Sequence, residues 1–368
     1  MGYTYDQLAG LVATVHTKYP KNELTVTWDD PRYEAARILN EESIKKQGGT
    51  TITGKAMLDQ QGNAHWIDGY YDKDELSQGE TIHEFTMPWK RFTTNWSWDE
   101  FEILQNKSDP EGFIDLAKVK EMQAMWNLAV LFENSFWTNA TSATSKEMRG
   151  LPYFIRMMDK DTTTAGFVGK TIRFANGTTA TECAGIDAAV YSQWCNWADL
   201  YTAVNDDLIK RVRKAFLRSN FKAPLGATQF ERRKAAKRRI YTGFSVKEDL
   251  FSYLDAKDDV HASKEALGRM VVTEGTDMLL NGHDVIPINT LESYADPETG
   301  DDASPIYCVD FGHFNPVVYS GYWMKRRGPV HGGTLQHTTF TTYLDGACNV
   351  WCDSPRQAGW VIHKALTA

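Results

Sequence analysis

Residues 109 to 137, DPEGFIDLAKVKEMQAMWNLAVLFENSFW, constrain this chain more than any other stretch. Leu116, Val119, Met122, Trp126 and Val130 step by three or four, and Met125, Ala129, Phe132 and Phe136 form a second stripe beside them. That spacing gives a helix an apolar face well over 100° wide. Asp109 is placed to cap it, with Pro110 at the first helical position. At about 1.5 Å per residue, the span 115–137 is a rod of about 35 Å. By itself this is a buried core helix, and the rest of the chain has to be arranged around it.

Before the helix lies a long hairpin pattern, residues 50 to 93. TTITGKAML forms one arm, DQQGN supplies turn residues, and TIHEFTMPWKRF returns with Phe85, Met87 and Trp89 alternating. Pro88 cannot donate to a ladder, which places its strand at an edge. A polar hairpin with large aromatics on one face needs a partner for that face. The partner is either the chain's own body or a neighbouring subunit. Further upstream, Tyr33, Ala36, Ile38, Leu39 and Ile44 mark a short helix ended by Gly48 and Gly49. The N-terminal part is too poor in apolar residues to form its own core and reads as an arm.

After the helix, residues 138 to 190 are rich in Thr, Ser, Ala and Gly and read as loops and short strands at a domain boundary. Leu200, Val204, Leu208, Val212 and Phe216 repeat every four and predict one helix over 197–219, with Asp206 and Asp207 in its middle. The basic run ERRKAAKRR, 231–239, reads as a solvated face, with phosphate binding as the second reading. RRIYTGF predicts a strand. SVKEDLFSYLDAKDD predicts a helix capped by Ser245 and Glu248, and Asn281-Gly282 a tight turn between MVVTEG and HDVIPINTL. The last sixty residues read as strands (PIYCVDF, PVVYSGYWM, HTTFTTYLD, CNVWC, GWVIHK) separated by Gly, Pro and Asp turns. The long helix is expected to pack on a sheet of these strands.

Familiar signatures of chemistry do not occur. HExxH, a Walker A loop, G-x-G-x-x-G and G-x-S-x-G are missing from the sequence. Cys348 and Cys352 could share a strand face, but no CxxC or nearby His completes a zinc set. Ser43 with Lys46, and Ser219 with Lys222, match an S-x-x-K spacing in unrelated contexts and read as chance. His313, His331 and His337 read as core or loop histidines, and Asp29-Asp30 and Asp258-Asp259 as solvated turn residues. The expectation is no catalytic residue, no cofactor and no metal. Five scattered cysteines and no signal-like start imply reduced thiols, and no apolar run reaches the roughly 18 residues of a membrane span. A net charge of −8 argues against tight binding of nucleic acid.

The order of elements resembles that of tailed-bacteriophage major capsid proteins, the fold shared by tailed-phage and herpesvirus capsids. An arm comes first, then a GG-started hairpin (48–93), then RFTTNWSWDEFEIL leading into a long spine helix. DDLIKRVRKAFLRSNFKAP and RRIYTGFSVKEDLFSYLDAKDD follow, and IYCVDFGHFNPVVYSGYWM and QHTTFTTYLDGACNVWC come last. The resemblance implies an α+β chain with an N-terminal arm (1–47) and an extended hairpin loop (48–93). It implies a peripheral domain (94–184, spine helix 115–137), an axial domain (185–305), and a return to peripheral strands (306–368). It also assigns the hairpin to a contact with a neighbour. The implied function is self-assembly through hexamers and pentamers into an icosahedral head around double-stranded DNA, which the protein contacts weakly and non-specifically. Scaffolding and portal proteins, and decoration proteins where present, are implied partners. Since no coiled, charged segment precedes the hairpin, a separate scaffold serves or such a segment has been removed. The implied location is the virion, with assembly in the host cytoplasm. Some relatives cross-link subunits through Lys and Asn; Lys55 and Lys73 lie in or near the hairpin, but no such chemistry is expected from them. A cellular shell of the same fold, and a soluble α/β enzyme with the hairpin as a lid, are the alternatives.

Overall fold

The computed structural model describes residues 33–58, 65–66, 81–105, 110–220, 237–258, 278–292, 294–332 and 337–366. Helix α1 (Glu34–Glu41) leads through β1 (Ile44–Lys46) into an antiparallel pair, β2 (Thr51–Met57) and β3 (Ile82–Pro88). Strand β4 (Lys90–Asp99) and helix α2 (Glu100–Gln105) precede the long helix α3 (Pro110–Trp137). A helical turn α4 (Leu151–Phe154) is followed by β5 (Gly166–Gly169) and four two-residue strands. These are β6 (Ile172–Arg173), β7 (Thr179–Ala180), β8 (Glu182–Cys183) and β9 (Ile186–Asp187). Then come β10 (Asn196–Tyr201), α5 (Asp206–Ser219), β11 (Arg238–Thr242), α6 (Phe244–Asp258), β12 (Met278–Leu280) and β13 (His283–Pro287). The chain closes with β14 (Ile306–Asp310), β15 (Phe314–Tyr319), β16 (Lys325–His331), β17 (Thr339–Cys352), α7 (Pro355–Ala358) and β18 (Gly359–Lys364).

Two sheets carry the fold. A five-stranded sheet is built on β17, which pairs with β15 and β16 along one side and with β4 along the other, while β1 joins β15. Helix α3 lies on it. Phe132 meets Phe92 of β4 edge-on at 4.8 Å, and Phe136 meets Phe314 of β15 at 5.9 Å. The expected packing of the long helix on C-terminal strands therefore holds, with β4 as an added member. The second sheet has seven strands in the order β12-β13-β11-β14-β18-β10-β5. Helices α5 and α6 cover one face of it through Leu208, Val212, Phe216, Val246 and Leu250. Strands β14 and β18 pair inside this sheet with β10 and β11. Residues 306–310 and 359–364 thus belong with the central block and do not return to the sheet under α3.

Several local expectations change. The predicted helix over 197–219 is a strand followed by a helix. Residues 196–201 are buried on both sides between β18 and β5, and in such a position a mostly apolar run forms a strand. Asn205 then caps α5, accepting the Asp207 and Leu208 N–H groups at 3.0 and 3.2 Å. Asp206 and Asp207 sit at the positive end of the helix dipole and not in mid-helix. Helix α6 starts on a carboxylate from elsewhere in the chain: Glu292 accepts the Ser245 N–H at 3.0 Å. HTTFTTYLD and CNVWC are one continuous strand through Gly346, which is no turn. A Cβ there would stand 2.2 Å from Cζ of Phe92, so the glycine makes room for that ring. The Asn281-Gly282 turn is present, with φ of 53° and 81°. MVVTEG lies outside the described residues.

Candidate assembly surfaces

The hairpin begins at Gly48 and Gly49, whose φ angles of 76° and 86° favour glycine, and the Trp89 indole donates to the Gly49 carbonyl at 3.1 Å. From Thr51↔Pro88 to Met57↔Ile82 the two strands stay in register. Alternation then sorts the side chains. Ile52, Phe85 and Met87 point inward and are buried. Phe85 packs on Trp194 at 5.3 Å and Trp351 at 6.0 Å, His83 on Tyr191 at 4.4 Å, and the Thr86 N–H donates to the Ala184 carbonyl at 2.9 Å. The inner face at the base of the hairpin is therefore covered by the chain's own body. The expected contact with a neighbour passes to the outer face and to the distal part, of which 59–64 and 67–80 lie outside the described residues. On the outer face Lys55 stands across from Glu84, and Met57 and Ile82 stand across from each other, 67% and 63% exposed. The β2–β3 pair is a sheet of two strands, and β2 has no second strand beside it among the described residues. An open edge of this kind accepts an added strand.

Helix α3 presents a second surface. Its inward side carries Ala124, Leu128, Ala129, Phe132 and Phe136, all buried. Of the two stripes read from the sequence, only the second lies inward. Val119, Met122, Trp126 and Val130 of the first stripe face outward, at 36–60% exposure, and Leu131 joins them at 46%. The expectation of a buried core helix is corrected in part: the second stripe is buried, while the described residues of the first are exposed. Two carboxylates tie the helix inward. Glu121 pairs with Arg326 of β16, and Glu133 accepts the Ala35 N–H at 2.9 Å and the Trp137 indole N–H at 2.6 Å. Burial pushes Glu133 up to about 8, and raises Glu34 beside it.

The residues that could have carried chemistry are spread apart and occupied. All five cysteines are buried and unpaired; Cys348 touches the Met148 sulfur, and burial pushes its thiol up to about 12. No group of three His, Cys, Asp or Glu able to hold a metal occurs among the described residues. His331 contacts the carbonyl of His337, while His313 sits in the turn between β14 and β15 and lends its carbonyl to Asp353. Ser219 donates to the Phe216 carbonyl, and Lys46 lies over the Trp351 ring at 4.2 Å. Asp29-Asp30, Lys222 and Asp259 fall outside the described residues. A groove at Lys90, Phe92, Phe132 and Glu147 has engaged polar groups: Lys90 donates to the Ser145 carbonyl and Glu147 accepts twice from Thr141. The last three residues of the basic run, the part of it that is described, are paired with carboxylates. Lys237 and Arg239 reach Glu42 at 3.0 and 3.2 Å, Arg239 also approaches Glu34 at 3.5 Å, and Arg238 pairs with Asp310 at 3.2 Å. Their partners come from α1, from Glu42 just after it and from β14, distant in sequence, which is why the run by itself could not show them. Residues 231–236 lie outside the described residues.

No protein-family model and no curated protein matches the sequence. Solved structures do match. The capsid asymmetric unit of cyanophage A-1(L) superimposes over 91% of this chain and 93% of its own, with a TM-score of 0.55 and 13% identity. This chain has the tailed-phage capsid fold. Matches to the capsid of the Myoviridae phage XM1 (10% identity, 89% and 90% coverage) and to the capsid of a native GTA particle (12%, 89% and 89%) have TM-scores of 0.48 and 0.46. The capsid fold extends over nearly the whole chain, so the hairpin, α3 and both sheets are parts of one architecture. The described helices contain none long and apolar enough to cross a membrane.

Proposed function

We propose that this chain is a major capsid protein, which assembles through hexamers and pentamers into an icosahedral phage head around double-stranded DNA. The observation that carries the reading is the superposition on the cyanophage A-1(L) capsid chain over nine tenths of both chains. An open-edged hairpin and an uncharged outward helix face support it, because a subunit that works alone has no use for either. In this reading the seven-stranded sheet with α5 and α6 is the core of the axial domain. The five-stranded sheet with α3 is the peripheral domain, and residues 59–80 reach a neighbour. The role is structural and non-enzymatic. Its partners are further copies of itself, scaffolding and portal proteins, and decoration proteins where the head has them. The location is the virion, after assembly in the host cytoplasm. A net charge of −8 suits a shell that holds its DNA loosely.

The deciding experiment is negative-stain electron microscopy with size-exclusion chromatography on the recombinant protein, with and without the products of its neighbouring genes. Closed shells, or hexamer and pentamer rings, are expected. A stable monomer under every condition would refute the reading and return attention to the enzyme alternative.

A further inference from the structure

Helix α5 carries charge against the balance of the chain. The protein has a net charge of −8, yet LIKRVRKAFLRSN, from Leu208 to Asn220, holds five cations and no acid. The inward side of the helix is Leu208, Val212, Ala215 and Phe216. Lys210, Arg213, Lys214, Leu217 and Arg218 are all exposed, and their three- and four-residue steps put them on one outward face.

The fifth cation shows by contrast what the other four lack. Arg211 reaches Asp199 and Asp207, each at 2.6 Å. Asp206, the other acid of the helix, accepts from the Tyr253 hydroxyl. Lys210, Arg213, Lys214 and Arg218 have no carboxylate partner among the described residues, unlike Lys237, Arg238 and Arg239. The positive surface continues off the helix. The Lys214 ammonium lies 5.8 Å from the Trp197 ring centre, Phe167 meets Trp197 edge-on at 5.3 Å, and the Arg356 guanidinium lies 3.9 Å over Phe167. Arg356 likewise has no carboxylate partner among the described residues.

We propose that this face, Lys210, Arg213, Lys214 and Arg218 with Arg356 beside them, is where the subunit meets the phosphate backbone of double-stranded DNA, without regard to sequence. The presence of DNA rests on the capsid reading; the place of contact rests on the charge. Charge complementarity selects the occupant. From Lys210 to Arg218 the helix runs about 12 Å at about 1.5 Å per residue, and a duplex presents about seven phosphates over that length. The core of a protein interface is depleted of charge, whereas this face is cationic throughout except at Leu217. Backbone contacts need donors and positive charge but no base-reading geometry. The contact is weak and salt-sensitive, as a few cations on an acidic chain require.

Fluorescence anisotropy of a short labelled duplex, titrated with dilute, unassembled full-length subunits across a salt series, tests this. Two variants are compared with the unaltered chain, each checked by circular dichroism. One carries Lys210→Gln, Arg213→Gln, Lys214→Gln and Arg218→Gln. The other carries Lys45→Gln, Lys146→Gln, Lys160→Gln and Lys325→Gln, exposed lysines elsewhere that remove the same charge. The α5 variant is expected to flatten the slope of log affinity against log salt by about three to four, and the control to leave it nearly unchanged. Arg213→Gln with Arg218→Gln alone should flatten it by about two, which keeps the test decisive if the fourfold variant does not fold. An unchanged slope, or an equal loss in the control, would overturn the proposal. Unaltered subunits that do not bind the duplex at the lowest salt would also overturn it and, where the α5 substitutions then block shell formation, give the face to a protein partner. Assembly is read separately by electron microscopy, so a failure of the capsid reading is told apart from a failure of this one.

Discussion

Gly346→Ala separates two readings of the C-terminal strands. In the sequence Gly346 looks like a turn between HTTFTTYLD and CNVWC; in the fold it lies mid-strand and opposite Phe92. A new Cβ would fall 2.2 Å from Cζ and 2.5 Å from Cε1 of that ring. Phe92 cannot give way freely, because it is wedged edge-on against Phe132 at 4.8 Å and Trp323 at 5.4 Å. Overpacking of this kind costs about 1–3 kcal/mol. Against that, Ala restricts the unfolded chain and contributes about 0.4–1 kcal/mol where the backbone is compatible, as an extended strand is. The net expectation is a loss of about 0.5–2 kcal/mol. The sign should reverse when the ring is gone. In a Phe92→Ala background, Gly346→Ala should stabilise by about 0.4–1 kcal/mol. Urea unfolding of unassembled subunits, followed by tryptophan fluorescence, measures all four corners of the cycle, and the coupling should be about as large as the clash. A Gly346→Ala cost that is the same in both backgrounds would show that backbone conformation, not ring space, demands the glycine.

Deletion of residues 59–80 should leave a folded subunit that fails to assemble, since the inner face of the hairpin base is held by Phe85 and Met87 independently of that segment; normal shells on electron micrographs would remove the hairpin from the interface. Glu133 is held up to about 8 in the fold, so the folded state carries a proton that the unfolded state has lost. The contribution of Glu133 to stability is therefore fully present below the ordinary carboxylate range and is lost as pH rises from that range to about 8, with Glu34 acting in the same direction. Glu133→Gln should flatten this slope in urea midpoints measured across that window, and an unchanged slope would count against the burial argument. Asn205→Ala removes the cap of α5 and should cost about 1 kcal/mol in urea unfolding, while Asn205→Asp should retain most of it.

What could be read from the sequence was whatever depends on neighbours in the chain. The period of residues 110–137 announced α3, Asn281-Gly282 announced its turn, and the alternation of Phe85 and Met87 announced a strand with one face to bury. The order of these pieces along the chain was enough to point to the capsid fold. Local pattern misled where two faces were buried at once. WADLY continues a four-residue repeat, yet it is a central strand, because β18 and β5 hydrogen-bond both its edges. The same limit applied to the candidate surfaces. Arg238 and Arg239 looked like solvated charges until Asp310, Glu34 and Glu42 arrived from other parts of the chain.

The sequence by itself determined that α3 has two apolar stripes, that a hairpin with one aromatic face precedes it, and that strands close the chain. Periodicity carries that information, because it records which side chains share a face. Only the tertiary structure decided which stripe lies on the sheet and which faces out. It also decided that the hairpin's aromatic face rests on Trp194 and Trp351 of its own chain. Those outcomes depend on which surfaces meet in space. Apolar burial has no direction of its own, so the stripe that Phe92, Phe314 and Trp323 can reach is covered, and the other is left for whatever comes next.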